Sequence, residues 1–163
     1  MLMCPTGQQF NQQCARNFAK IKHLIIICGH YEGYDERIRD FCDIEVSIGD
    51  YVLTGGELGS MVVSDAIIRL LEGTINQSSH EDDSFSNGLL EFPQYTRPAV
   101  YDGISVPEVV LSGHHENIRK WRLFQSLKKT YEKRPDLLEG RHFSLEENEM
   151  LEKIKNNIDF EIK

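Results

Sequence analysis

Leu24-Ile25-Ile26-Ile27-Cys28-Gly29-His30-Tyr31-Glu32-Gly33-Tyr34-Asp35-Glu36-Arg37 is an apolar run that stops at a glycine and opens into a polar loop. The five apolar residues, Leu24 to Cys28, are far too few for a membrane span. They suit one strand buried on both faces, the pattern of a parallel sheet. In such α/β sheets, ligands bind beyond the carboxyl ends of the strands. The fold class expected is therefore α/β with a mostly parallel sheet, and Gly29–Arg37 falls where chemistry usually occurs.

Downstream, Ser47-Ile48-Gly49-Asp50-Tyr51-Val52-Leu53-Thr54-Gly55-Gly56-Glu57 joins short apolar pieces through Gly49 and closes on a glycine pair. Glycines here permit tight turns or close approach of backbone to a ligand. A helix is expected over 58–71. Met61, Val62, Val63, Ala66, Ile67, Ile68 and Leu70 occupy most of its faces, so it should be largely buried. Asp65 and Arg69 lie four residues apart on one face. They read either as an ordinary ion pair or as polar groups facing a site.

Residues 73–88 break the pattern, and the polar stretch 76–82 reads as a flexible linker between parts 1–75 and 83–163. The second part opens on Phe92-Pro93-Gln94-Tyr95-Thr96-Arg97-Pro98, extended and pinned by proline. A long helix is expected over 115–133, with Ile118, Trp121, Phe124, Leu127 and Tyr131 as its apolar stripe and Pro135 as its stop. Ser144 and Glu147 form a capping box for a last helix, whose buried face continues through Leu151, Ile154 and Ile158.

Composition is that of an ordinary soluble domain, with 40% hydrophobic and 27% charged residues among 163. There is no secretory pattern at the N-terminus and no apolar run of membrane-spanning length, so a cytoplasmic location and no membrane partner are expected. Cys4, Cys14, Cys28 and Cys42 form no C-x-x-C pair and read as buried reduced thiols rather than a disulfide framework or metal site.

The net charge of −8 is unevenly spread. From Arg119 to Arg134, seven basic residues oppose Glu132, which gives +6 there and −14 elsewhere. This stripe reads either as a phosphate-binding surface or as a solvated helix face, and charge alone does not choose.

Gly55-Gly56-Glu57-Leu58-Gly59 is not G-x-G-x-x-G and lacks the P-loop Lys-Ser/Thr, which argues against ordinary dinucleotide and triphosphate sites. Taken together, the motifs resemble one family. Cys28 to Arg37 is similar to its C-G-R-Y-E-G-x-D-E-R, with His30 at the arginine. Ser47 to Glu57 is similar to its S-I-G-D-Y-V-L-S-G-G-E. Asp83-Ser84-Phe85, Tyr95-Thr96-Arg97-Pro98, Leu111-Ser112-Gly113 with His115, and Ile118-Arg119-Lys120-Trp121-Arg122 follow in the family's order; His114 stands where asparagine is common. The family is the bacterial tRNA (guanine-N1)-methyltransferases that act next to the anticodon, among the trefoil-knotted (SPOUT) methyltransferases.

The resemblance implies a knotted S-adenosylmethionine-binding domain over 1–75, a linker, and a small, mainly helical tRNA-binding domain over 83–163. Its cofactor residues would be Pro5, Gly29, Tyr31, Glu32, Ser47, Ile48, Gly49, Asp50, Tyr51, Val52, Leu53, Gly55 and Gly56. Pro5 and Gly7 match the turn at the end of the preceding strand. Arg69 and Asp83 match the family's catalytic arginine and aspartate, with Asp83 supplied by the partner subunit of a homodimer. Arg119, Arg122 and Lys128 would meet tRNA phosphates. The family's G-G-G-x-G-M segment has no counterpart here, so a chain shortened at its N-terminus, with an incomplete sheet, is expected.

The residue types suit methyl transfer to N1 of guanine. A carboxylate takes the N1 proton, and a cation stabilises charge developing at O6. A magnesium ion is compatible with that scheme and not required by it. Two other functions compete. One is a catalytically silent RNA-binding or dimerisation module left by truncation. The other is a nucleotide-binding oxidoreductase, which the missing glycine fingerprint disfavours.

Overall fold

A computed structural model describes residues 1–30, 33–74 and 83–161. The chain divides into two compact units, Met1–His80 and Glu81–Lys163. The linker expected over 76–82 lies outside the described residues.

The first unit runs β1 (Leu2–Gln9), α1 (Gln12–Phe18), β2 (Ile27–Cys28), a 3₁₀ helix (Glu36–Phe41), β3 (Glu45–Ser47) and α2 (Glu57–Ile68). Its strands form a parallel sheet in the order β2-β1-β3. This is a mixed α/β unit. The Asn11 side chain starts α1 by accepting the Cys14 amide at 3.0 Å. Ala15 of α1 then packs with Val63 and Ile67 of α2 over Met1, Met3 and Val46 to make the core.

β1 has an irregular ladder with β3. Met3 and Gln8 both pair with Val46, so the residues between them leave the ladder and rejoin it at the same rung. That excursion carries Pro5, which has no amide to donate to a ladder.

Two expectations are corrected. Leu24–Cys28 is not a strand buried on both faces: only Ile27–Cys28 is strand, and Ile25 is 64% exposed. β2 pairs only with β1 in the described sheet, and an apolar run alone cannot tell an edge strand from a central one. Nor is the helix expected over 58–71 largely buried. Gly59, Val63 and Ile67 form one buried row, while Leu58, Met61, Val62 and Ile68 are exposed. Apolar composition on every face says that partners are needed, not that this chain supplies them.

The second unit holds a hairpin, β4 (Val100–Tyr101) with β5 (Ile104–Ser105), then α3 (Glu108–Leu111), α4 (His115–Lys133), a 3₁₀ helix (Pro135–Leu138) and α5 (Leu145–Lys155). Helix α4 spans the residues the periodicity predicts. Its inner stripe includes Trp121, Phe124, Leu127 and Thr130, and the last replaces the expected Tyr131, which is 41% exposed. Thr130 is tolerated in the core because its hydroxyl donates to Ser126 O at 2.7 Å and accepts from the Leu90 amide at 2.9 Å. Phe124 and Leu127 pack with Leu89, Met150, Leu151 and Ile154. Ile158 lies beyond α5 and is 48% exposed, so the buried face of the last helix ends before it.

The capping box is formed: Ser144 Oγ accepts the Glu147 amide at 3.2 Å, and Glu147 Oε2 accepts the Ser144 amide at 2.7 Å. Ser144→Ala is expected to cost about 1 kcal/mol, read as a lower denaturant midpoint at unchanged slope. An unchanged midpoint would show that the box does not hold α5.

Candidate functional site

β2 ends at Cys28 and β3 at Ser47, so the loops that follow them leave the same end of the parallel sheet. They border a cavity of about 280 Å³, at the small end of small-molecule sites. Ten of the thirteen expected cofactor residues line it: Pro5, Gly29, Ser47, Ile48, Gly49, Tyr51, Val52, Leu53, Gly55 and Gly56. Tyr31 and Glu32 lie outside the described residues. Asp50 is exposed and is not part of the wall.

Local hydrogen bonds shape the wall. Ser47 Oγ accepts the Gly49 amide and donates to the Gly49 carbonyl, each at 3.2 Å. Gly49 has φ +149°, a conformation that side-chain-bearing residues rarely adopt. The Tyr51 hydroxyl returns to Ile48 O at 3.2 Å. The Gly56 amide donates to Gly29 O at 3.1 Å, joining the start of α2 to the end of β2. Above this junction His30 Nε2 pairs with Glu57 Oε1.

Sequence reasoning left several wall residues unassigned, among them Met3, Cys4, Tyr34, Val46 and Thr54. Cys4 and Tyr34 belong to a polar network behind the cavity. Cys4 Sγ lies 3.0 Å from Thr6 Oγ1 and 3.4 Å from Arg39 Nη2. Arg39 pairs with Glu45 and, at 2.7 Å, with Glu36, and its guanidinium sits 5.8 Å from the Tyr34 ring centre. Burial pushes the Cys4 thiol up, but its bonds to Thr6, Tyr34 and Arg39 outweigh that and leave it below its ordinary value. Burial, then the bond to Cys4, pushes the Tyr34 hydroxyl up to about 12, so it stays protonated. No spacing rule flags such a network, because residues 4, 34, 39 and 45 meet only through the parallel crossovers.

Of the two expected catalytic residues, Arg69 belongs to the first unit, where it caps α2 with its amide on Asp65 O at 3.1 Å. Asp83 belongs to the second unit. The expected phosphate contacts all lie on α4. Arg119 bonds Glu116 and Glu146, both at 2.9 Å. Lys128 bonds Asp159 at 3.1 Å. The Arg122 guanidinium lies 4.7 Å from the Phe92 ring centre. Counting charge along α4 alone missed Glu146 and Asp159, which are distant in sequence.

The model of a family described as tRNA (Guanine-1)-methyltransferase TrmD matches residues 1–140. The chain belongs to that family. Relatives named tRNA (guanine-N(1)-)-methyltransferase occur in Streptococcus mutans serotype c (strain ATCC 700610 / UA159), 60% identical over 157 residues, and Streptococcus pneumoniae (strain Hungary19A-6), 59% identical over 158. Each alignment covers 96% of this chain. The chain spans 65% of the length of the first relative and 66% of the second. Among the described residues, no helix is long and apolar enough to cross a membrane.

Proposed function

We propose that this chain carries the cofactor site and tRNA-binding part of an enzyme that transfers a methyl group from S-adenosylmethionine to N1 of guanosine 37 in tRNA. The observation that carries the proposal is the convergence of both family motifs on one cavity at the carboxyl end of a parallel sheet. Backbone amides and carbonyls of glycine-bearing loops, with apolar Ile48, Val52 and Leu53, suit an uncharged nucleoside. The cofactor supplies a methyl group already activated on a sulfonium. Asp83 accepts the N1 proton as general base, and Arg69 stabilises negative charge developing at O6. No residue assigned here requires magnesium, and one bound ion is compatible with the scheme.

The active form is a homodimer in which Asp83 reaches the partner's cavity. The exposed Leu58, Met61, Val62 and Ile68 of α2 support a partner for that helix. The loop that opens at Gly29 and the Ile48–Leu53 segment contribute to a trefoil knot, and the location is cytoplasmic. Incubation with labelled S-adenosylmethionine and an unmodified tRNA transcript tests the activity. Label in wild-type transcript but not in one with adenosine at position 37 is expected. Tight RNA binding with no label in either would favour the silent RNA-binding module instead.

Gly49→Val is expected to weaken S-adenosylmethionine binding at least about tenfold by calorimetry, because a branched residue resists that φ. Unchanged affinity would place the cofactor elsewhere. Replacing both Arg119 and Lys128 with alanine is expected to weaken tRNA binding and reduce its salt dependence by about one unit per lost phosphate contact. A slope identical to that of the unsubstituted chain would leave α4 a solvated face.

A further inference from the structure

Asp83 opens a short closed loop in the second unit. The Ser86 amide donates to Asp83 O at 3.0 Å, the Phe85 amide to Leu89 O at 2.7 Å, and the Glu91 amide to Ser84 Oγ at 3.0 Å. Phe85 stands in the left-handed region at φ +70°, which a side chain of its size keeps only where its surroundings hold it. Such a loop needs outside anchors. Leu89, 1% exposed, fixes the far end in the core, and the Leu90 amide donates to Thr130 Oγ1 at 2.9 Å.

Arg141 meets the loop nearer to Asp83. One arm of its guanidinium, Nη1, donates to the Asn87 carbonyl, and the other, Nη2, pairs with Glu147 Oε1 at 2.8 Å. Gly88, at φ +81°, leaves the first arm its room: a Cβ there would lie 2.9 Å from Nη1. The Arg141 and Glu147 side chains are only 21% and 13% exposed. Glu147 already accepts the Ser144 amide at the start of α5, so the helix needs no arginine for its cap. Withdrawing a guanidinium and a carboxylate from water is costly, and stability alone is a poor reason for it.

We infer that Arg141 is a positioning residue for the general base. It ties the loop that carries Asp83 to the first turn of α5, and so fixes the direction from which the carboxylate approaches guanine N1. It acts through that loop and not on the substrate. The inference rests on the general-base reading of Asp83 above and adds what holds the base in place. A misplacement of about 1 Å at a reacting group costs up to about a hundredfold in rate, which is the scale open to such a tether.

Two variants test it. Arg141→Ala removes the tether. Glu147→Gln is milder, since glutamine keeps the α5 cap and loses only the charge that holds Arg141. Methyl transfer is followed in single turnovers with saturating tRNA transcript and labelled S-adenosylmethionine, in the 163-residue chain and in a form extended to its relatives' length. Arg141→Ala should lower the rate on the order of ten- to a hundredfold and Glu147→Gln about threefold, with S-adenosylmethionine affinity within about twofold. On an Asp83→Asn background neither should cost more than about a further twofold, because the tether then has no base to position. Hydrogen exchange gives a second readout: the Phe85 amide should exchange at least about tenfold faster in Arg141→Ala, with the Phe124 and Leu127 amides of α4 within about twofold. Losses that multiply on the Asp83→Asn background would overturn the inference, as would exchange quickened equally in α4, since either makes Arg141 a general support of the unit. A loss in Asp83→Asn with Arg141→Ala unaffected would overturn this inference alone. Full activity of Asp83→Asn would remove the base itself, and no methyl transfer by either form of the unsubstituted chain would remove the enzyme reading; the inference falls with each.

Discussion

Asp83→Asn is expected to lower methyl transfer by about 10²–10⁴-fold while S-adenosylmethionine affinity stays nearly intact. The amide keeps the shape of the carboxylate and its capacity to accept a hydrogen bond. It cannot take the proton that leaves guanine N1 as the methyl group arrives. Asp83 and the cofactor cavity belong to different compact units, so binding and proton transfer should separate in this variant. Arg69→Lys should also lose activity, since it keeps the charge but not the planar fork. Mixing inactive Asp83→Asn and Arg69→Ala chains should restore activity if the two residues serve one site from different subunits. The assay is run both on the 163-residue chain and on a form extended to its relatives' length. Full activity of Asp83→Asn in either form would remove the general-base assignment.

Gly7→Val is expected to destabilise the first unit strongly. A Cβ at Gly7 would lie 2.4 Å from both the carbonyl carbon of Glu45 and the amide nitrogen of Val46, in backbone that cannot swing aside. β3 must move away, and with it Val46, which is 1% exposed in the core. A cost of about 3 kcal/mol or more follows from overpacking of this kind. In a unit this small that lowers the melting temperature by more than roughly 10 °C. A thermal scan within about 2 °C of the unsubstituted chain would show that β1 and β3 have slack at this point.

What the sequence made legible, and what it hid, divides along physical lines. Helix α4 and the Ser144 cap were readable to the residue, because periodicity and capping are local. The cavity was readable through its glycines, whose spacing within each loop survives in the chain. The burial of α2 and of Leu24–Cys28 was not readable. An apolar face records that contact is needed, while the supplier of that contact can be another chain or none within reach. The partners of Arg119 and Lys128 were hidden for the same reason. Glu146 and Asp159 approach α4 only after α5 has folded back along it.

The excursion in β1 has a bearing on how this site can vary. Because Met3 and Gln8 meet the same rung of β3, the loop between them changes nothing in the alignment of the strand after it. Cys4 and Pro5, which it contributes to the cavity wall, therefore sit on an appendage whose length and chemistry are decoupled from the sheet. Substitution there can reshape what the cavity accepts without sliding any core residue to the wrong face, a freedom an uninterrupted strand does not have. Gly7 is the exception: it is where the appendage touches down on β3, and it sets the limit on how far the loop can drift.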